Sequence, residues 1–399
     1  MKITKLSLAA IAAVAMTTGA MADADKGVDF KIGGQTVLYY QTVESGGDTA
    51  LFDQGNSRAN AGIQLNLNGD LGNGFGLGLQ GTGLGTLGLE NNLVSNVMQK
   101  ADGTLNGAAL TKAYLTKQLG KTTLKVGRQE LPKSLSPLAF SEGWNVFKNT
   151  FDAAVVINSD IPDTTVVGAY VSKSNGHGAF GKNEKGLSSF RNMAGGAMEG
   201  GAYMLTVANK SSKVVQPTIS YYALQDLNVL GGESGNAIWA DVQVDANLPV
   251  KLALQGGQID PANNAKETTV FGAKVTGKAN GVALKLAYSD VNDGALSVQN
   301  VGTGIKTPLY TQMVLNQNHI SKDASTVVLQ AAMPVGPGKL IAQYDVTTDN
   351  SAAAKDYNEL DVIYKFKALG TNMLAAYVMA DKDGKDKVNV IRLWTRYNF

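Results

Sequence analysis

Charged side chains of both signs gather in one otherwise apolar stretch of the chain. They are Arg128, Glu130, Lys133, Glu142 and Lys148. Pro132 and Pro137 stiffen the backbone between them. Opposed acidic and basic groups set a local electric field that attracts or repels nearby ions. The same charges would also suit a solvated surface loop, so their types alone leave both interpretations open.

Covalent chemistry has few candidate residues in this sequence. The chain has two histidines, His177 and His319, and no cysteine, which leaves little for a histidine-based triad or a zinc site. Both histidines fall in predicted loops with polar neighbours, so we expect both at the surface. The sequence therefore predicts no enzyme, no metal site and no cofactor.

A glycine-rich run over residues 72–88 contains spacings that mimic a phosphate-binding loop. No helical pattern follows the run, and it has no Gly-Lys-Ser or Gly-Lys-Thr, so a nucleotide site is excluded. Small residues on a crowded sheet surface explain the glycines better.

The elements that must position the charged groups are short alternating segments. Residues 63–68 are the clearest, since apolar and polar residues alternate there without a break, which indicates a half-buried strand. The same pattern predicts eighteen strands, at about 30–42, 60–70, 75–84, 109–119, 122–128, 152–159, 164–173, 201–210, 216–224, 236–245, 250–259, 267–277, 282–290, 325–334, 338–347, 358–366, 372–381 and 387–399. The segment 306–315 stays in a loop, although it could also be a strand.

The connections between these strands alternate between short and long. Tight turns such as 71–74 and 120–121 follow the even strands, and long loops such as 129–151 and 291–324 follow most odd ones. A soluble sandwich has no reason to sort loop length by strand parity. An up-and-down transmembrane barrel does, because its periplasmic turns are short and its outer loops are long. The pattern predicts an all-β antiparallel barrel.

The last strand supports the same architecture. Counting back from Phe399, the apolar residues Ile391, Leu393 and Tyr397 share one face, whereas Arg392 and Arg396 lie on the other. A transmembrane barrel places the apolar face on lipid and the polar face in a lumen. The aromatic terminal residue also favours a strand that closes a barrel.

The first 22 residues have the composition of an export signal. Lys2 and Lys5 precede an apolar run, and small residues allow cleavage after Ala22 or Ala24. The run is too short for a spanning helix, which needs about 20 apolar residues. We therefore expect a signal peptide at 1–22 and one barrel domain at 23–399.

Composition narrows the class of protein further. The 399 residues include 46 glycines, 9 prolines and no cysteine, so no disulfide stabilises this exported chain. The net charge of +2 falls to about 0 once the signal with Lys2 and Lys5 is removed. Nucleic-acid binding needs a concentrated basic stripe, so none is expected.

Two short segments carry a resemblance to a known family. Residues 124–131 (LKVGRQEL), followed by a loop and then residues 149–156 (NTFDAAVV), resemble the major outer membrane porins of epsilonproteobacteria, relatives of the OprD-type porins. The patch 307–311 (TPLYT), the export signal and Phe399 fit that resemblance. It implies an 18-stranded barrel, usually a homotrimer, that passes small hydrophilic solutes and ions through the outer membrane of a Gram-negative bacterium. It also implies that the barrel-assembly machinery recognises the strand that ends in Phe399.

In porins of this kind the third outer loop folds inward and narrows the pore. The resemblance therefore makes 129–151 the expected constriction, with the five charged residues from Arg128 to Lys148 around it. Charges on the polar strand faces should line the lumen, because Lys or Arg facing lipid at the midplane costs about 2–4 kcal/mol. The expected lumen residues are Lys125, Asp241, Lys251, Lys285, Asp361, Lys365, Arg392 and Arg396.

The mixed signs of these charges leave ion preference open, and the sequence does not name the solute. Two alternatives also stay open. The chain could be a surface adhesin or structural barrel with a plugged lumen, or a soluble all-β secreted protein.

Overall fold

The computed structural model describes residues 29–399 except 48, 102–103, 144, 176–178, 181–189, 192–196, 199–200, 228–232 and 262–263. The expected signal peptide and His177 lie outside the described residues. Eighteen long antiparallel strands form the fold. In chain order they are β1 Asp29–Glu44, β2 Ser57–Gly72, β3 Phe75–Gly85, β4 Gly107–Leu119, β5 Thr122–Gln129, β6 Phe151–Asn158, β7 Thr164–Ser174, β8 Ala202–Asn209, β9 Val215–Leu227, β10 Glu233–Val244, β11 Val250–Pro261, β12 Thr268–Ala279, β13 Val282–Val291, β14 Ala324–Val335, β15 Gly338–Asp349, β16 Tyr357–Ala368, β17 Thr371–Lys382 and β18 Val388–Asn398.

The predicted strands are confirmed, each boundary lying within three residues of the observed one. Every strand pairs with its neighbours in sequence, and β18 returns to pair with β1, from Gln35 opposite Asn398 to Glu44 opposite Asn389. The sheet is therefore a closed barrel with no free edge, which satisfies the backbone polar groups inside a membrane.

Little regular structure lies outside the barrel in the described residues. Lys100–Ala101 pairs in parallel with Ala179–Phe180, and Phe190–Arg191 pairs with Ala197–Met198. Short helices occupy Gln54–Asn56, Leu89–Asn91 and Gln317–Ile320. No helix among the described residues is long and apolar enough to cross a membrane.

The connections are sorted by the end of the barrel at which they lie. At one end they span two to five residues, as at 73–74, 120–121 and 280–281. Asn280 and Gly281 both have positive φ, the backbone that a two-residue hairpin turn of type I′ requires. At the other end most connections are longer, including the one between β5 and β6 (residues 130–150, here L3) and the one between β13 and β14 (residues 292–323, here L7). Residues 306–315 belong to L7 and form no strand.

Side chains alternate between the outside and the inside of the barrel along each strand. On β1, Leu38 is 56% exposed, whereas Val37 is 1% exposed. On β18, Leu393 is 44% exposed, whereas Arg392 is 5% exposed. The exposed outward side chains are largely apolar, which gives the outer wall the belt expected of a lipid-facing surface.

An apolar cluster fills part of the barrel interior. It joins inward side chains of the strands from β6 to β13, including Phe151 and Tyr222, to Leu138 of L3 and to Val301 and Leu309 of L7. The two loops are therefore held inside by burial of apolar surface.

Candidate functional site

The inward strand faces carry the expected lumen residues. The pairing registers place Lys125, Asp241, Lys251, Lys285, Asp361, Lys365, Arg392 and Arg396 on the faces opposite the exposed apolar residues. Their surroundings differ. Arg392 donates two hydrogen bonds to Gln41 across the closing seam, and Lys251 pairs with Asp245 near the short-turn end.

L3 contacts inward side chains on widely separated strands. The backbone N–H of Leu138 donates to the hydroxyl of Tyr222 on β9 (3.2 Å). Arg396 on β18 donates to the carbonyl oxygens of Asn145 and Val146 (2.9 Å each). Phe147 packs with inward residues of β1 and β3. L3 therefore crosses the interior of the barrel rather than standing above it.

L7 lies beside L3, and the two loops share a hydrogen-bonded seam. The N–H of Val301 donates to the carbonyl of Leu138 (2.8 Å). Asn300 accepts from the N–H of Phe140 (3.1 Å) and donates to its carbonyl (2.7 Å). The side-chain amide of Asn300 thus makes the two hydrogen bonds with Phe140 that a neighbouring backbone would make. Hydrogen bonds therefore join the two loops directly.

Glu130 is the centre of a first charged cluster in the lumen. Its carboxylate contacts Lys112 of β4 (2.5 Å) and Lys148 of L3 (3.2 Å). Burial opposes ionisation of Glu130, but the two ammonium groups outweigh it and hold the pKa of this carboxyl below its ordinary value. Lys125 lies close by, over the ring of Tyr114 (3.9 Å).

A second charged cluster surrounds the tip of L7. The hydroxyl of Tyr310 donates to Asp241 (2.6 Å), and the ammonium of Lys274 lies over its ring (4.0 Å). Lys285 donates to the carbonyl of Tyr310 (3.3 Å). Lys133 of L3 donates to the carbonyl of Thr307 (3.1 Å). Its ammonium group interacts electrostatically with the charges of this cluster. Each cluster therefore holds three lysines around one carboxylate.

A third basic group lies at the short-turn end of the lumen. A cavity of about 550 Å³ there is bounded by β15 to β18. Lys339, Lys365, Lys367 and Arg396 line it, and its lining includes no carboxylate. Basic groups thus outnumber acidic ones along this part of the wall.

Two residues expected at the constriction lie elsewhere. Arg128 shares the outward face of β5 with Val126, which is 57% exposed, and it pairs with Asp152 on the outward face of β6 (3.1 Å). Glu142 is 3% exposed and faces L7 instead of open lumen. Arg128 is therefore not a lumen charge, and Glu142 is not available to a passing ion.

Lys112 was missed by the sequence analysis. Alternation places it on the outward side with Leu110, but the register between β3 and β4 shifts between Gln80 and Gly81. This irregularity turns Lys112 inward, and nothing in the local sequence marks it.

His319 was expected at the surface, and it is half-buried. Its ring stacks on Tyr357 at 4.0 Å between centroids, and burial lowers its pKa to about 4. Among the described residues no three His, Cys, Asp or Glu side chains are grouped so as to hold a metal ion.

Comparison with known proteins gives a family and a fold. Residues 8–389 match the family described as Gram-negative porin. No curated protein sequence matches the chain. Among solved structures, the chain is similar to Pseudomonas aeruginosa OpdK with vanillate, with 13% identity, a TM-score of 0.76 and coverage of 93% of this chain and 98% of that chain. It is also similar to Pseudomonas aeruginosa OccK3 (OpdO), with 13% identity, a TM-score of 0.73 and coverage of 93% and 96%. Acinetobacter baumannii OccAB3 matches with 13% identity, a TM-score of 0.73 and coverage of 93% and 99%.

The match extends over nearly the whole chain, and the closed barrel with its outward apolar belt agrees with it. The protein lies in the outer membrane of a Gram-negative bacterium and crosses it with eighteen strands. It belongs to the Gram-negative porin family.

Proposed function

We propose that this porin is a passive channel for small hydrophilic solutes and ions whose narrowest part is bounded by L3, L7 and the barrel wall. A barrel of about 18 strands is wide enough to leave an aqueous channel. The observation that carries the proposal is the path of L3, which crosses the lumen between Tyr222 and Arg396. Solutes would diffuse down their gradients with no covalent step and no cofactor.

We assign charge selection to the two lysine-rich clusters. Glu130, Lys133 and Lys148 belong to this proposed constriction, together with Lys112, Lys274 and Lys285. Fixed charge in a pore enriches ions of the opposite sign. Three lysines around each carboxylate therefore favour anions, a preference that the sequence had left open.

Export and assembly complete the proposal. Residues 1–22 would be removed as a signal peptide, which leaves 23–399 as the barrel domain. The resemblance to epsilonproteobacterial porins supports a homotrimer, and the terminal Phe399 supports recognition of the last strand by the barrel-assembly machinery.

A surface adhesin with a plugged lumen is the second candidate, and one observation favours it. L3 and L7 bury apolar side chains together inside the barrel, as a plug would. The two candidates differ in solute permeability. Liposomes that contain the folded protein should swell in small sugars and less in larger ones if it is a channel, whereas plugged barrels would leave swelling at the level of empty liposomes.

A further inference from the structure

The position of L7 depends on buried carboxylates that accept hydrogen bonds from its backbone. Glu142 of L3 accepts from the N–H of Lys306 (3.0 Å), the amide of Asn300 (2.9 Å) and the hydroxyl of Thr303. On the other side of L7, Glu359 of β16 accepts from the N–H groups of Val314 (2.8 Å) and Leu315 (2.9 Å). L7 is thus held between one carboxylate on L3 and one on the wall.

Lys306 connects the two carboxylates through L7. Its backbone N–H donates to Glu142, and its ammonium donates to the carbonyls of Met313 and Val314 (3.0 Å each). Val314 in turn donates its N–H to Glu359. An unbroken set of hydrogen bonds therefore runs from L3 through Lys306 to β16, and Lys306 is 6% exposed.

A neighbouring carboxylate supports the attachment to the wall. Asp345 of β15 accepts from the side-chain amide of Asn316 (3.0 Å) and from the backbone N–H of Glu359. Both Asp345 and Glu359 are fully buried. These buried hydrogen bonds attach L7 to two adjacent strands of the wall, β15 and β16.

We infer that Glu142, Lys306 and Glu359 are positioning residues that set the aperture of the channel by fixing L7 against L3 and the wall. None of the three is a pore charge. Breaking the contacts of one of these residues leaves buried polar groups without a hydrogen-bond partner, which costs about 1–3 kcal/mol. L7 then moves away from L3 or from the wall. This inference rests on the proposed channel function, since it assigns a cause to the size of the opening.

The first test compares single channels of the folded protein with those of Glu142→Met, Lys306→Met and Glu359→Met. We expect conductance to rise roughly twofold in each variant, with more frequent switching between current levels, because L7 no longer holds one position. Glu267→Met is the matched control, since Glu267 is an exposed carboxylate at the outer rim whose one hydrogen-bond partner among the described residues is Gln258. It should conduct as the parent does.

The second test follows L7 without any current. Met313 of L7 is 2% exposed, and the chain has no cysteine, so Met313→Cys introduces a sole thiol. A membrane-impermeant maleimide should react with it slowly in the parent and roughly tenfold faster beside Glu359→Met, because local opening exposes it. Labelling does not depend on conduction. A parent that fails to conduct would therefore refute the channel, and the attachment of L7 to L3 and the wall could still be measured.

Two results would overturn the inference. Folded variants with the parent's labelling rate and conductance would show that these residues do not hold L7. Faster labelling with unchanged conductance would show that L7 does not limit the opening.

Discussion

The backbone of Phe399 exchanges two hydrogen bonds with the backbone of Gly34, at N–O distances of 2.8 and 3.0 Å. The pair extends the ladder between β18 and β1 to the last residue of the chain. A Cβ at position 34 would clash first with the backbone carbonyl of Gln64 on β2 and would lie 2.7 Å from Cζ of Phe399, so glycine lets both neighbours approach. The end of the chain therefore completes the barrel seam.

Gly34→Val should weaken this seam. The added side chain would overpack the ring of Phe399 and the adjacent backbone carbonyl of Gln64, at a cost of about 1–3 kcal/mol. We expect less of the folded, heat-modifiable form in outer membranes, and deletion of Phe399 should lower it as well. Gly168→Val is the control, because a Cβ at Gly168 meets nothing within 4 Å. Equal folded yields for all four proteins would refute the closing role of Phe399.

Leu65→Arg and Asn66→Arg should differ although they are adjacent. Leu65 lies on the outward face of β2, whereas Asn66 faces inward and accepts from Gln80 (2.7 Å). Arginine facing lipid near the midplane costs about 2–4 kcal/mol, so Leu65→Arg should reduce insertion and Asn66→Arg should be tolerated. The measurement is the folded fraction after insertion into lipid vesicles. Similar fractions for the two variants would contradict the face assignment of β2.

The strands were predictable because alternation is a local property. The alternation of side chains along β5 also implies the outward position of Arg128. It lies three residues after the inward Lys125, so a regular strand turns it outward. The resemblance to porins, which makes the adjoining loop the expected constriction, had grouped Arg128 with the constriction charges.

The position of Glu142 was not predictable from the sequence. Its partners Asn300 and Lys306 are more than 150 residues away, so its burial follows from how two loops meet. Lys112 depends in the same way on an irregular register between strands. Alternation therefore predicts the wall of a barrel, whereas the contents of its lumen depend on contacts between distant segments.

Lys148→Glu should shift the channel toward cations. Lys148 is 48% exposed and pairs with Glu130, so the change replaces an ion pair with two adjacent negative charges. In a tenfold salt gradient the zero-current potential should move by on the order of 10 mV toward cation preference. The shift should shrink at 1 M salt, where the Debye length is about 3 Å.

Lys387→Glu is the matched control for this change. It alters the same charge in a comparable ion pair, with Asp381 (3.1 Å), but on an outer connection away from L3. Equal shifts for the two variants would mean that selectivity reflects net charge and not the cluster around Glu130.

Anion preference should decline as pH rises, and the decline should begin below the pH at which an ordinary lysine loses its charge. Lys133 is exposed to the lumen, but the surrounding protein desolvates its ammonium group and lowers its pKa, although the charge of Asp241 opposes this. As pH rises, Lys133 therefore loses its positive charge at a pH below about 10.4, the ordinary pKa of lysine. Zero-current potentials between pH 7 and 10 measure the decline. Lys133→Arg should retain anion preference to higher pH, because arginine stays charged, and an identical pH profile would contradict a role for Lys133.

The central claim is that an aqueous path narrowed by L3 runs through the folded barrel. Single-channel conductance in a planar bilayer tests it directly, with the parent compared with a variant in which residues 131–147 are replaced by a short glycine linker. We predict discrete conducting steps for the parent and a higher conductance for the excised variant, which should also admit larger sugars. A verified folded parent without conducting steps would contradict the channel, and equal conductance in two folded proteins would contradict constriction by L3.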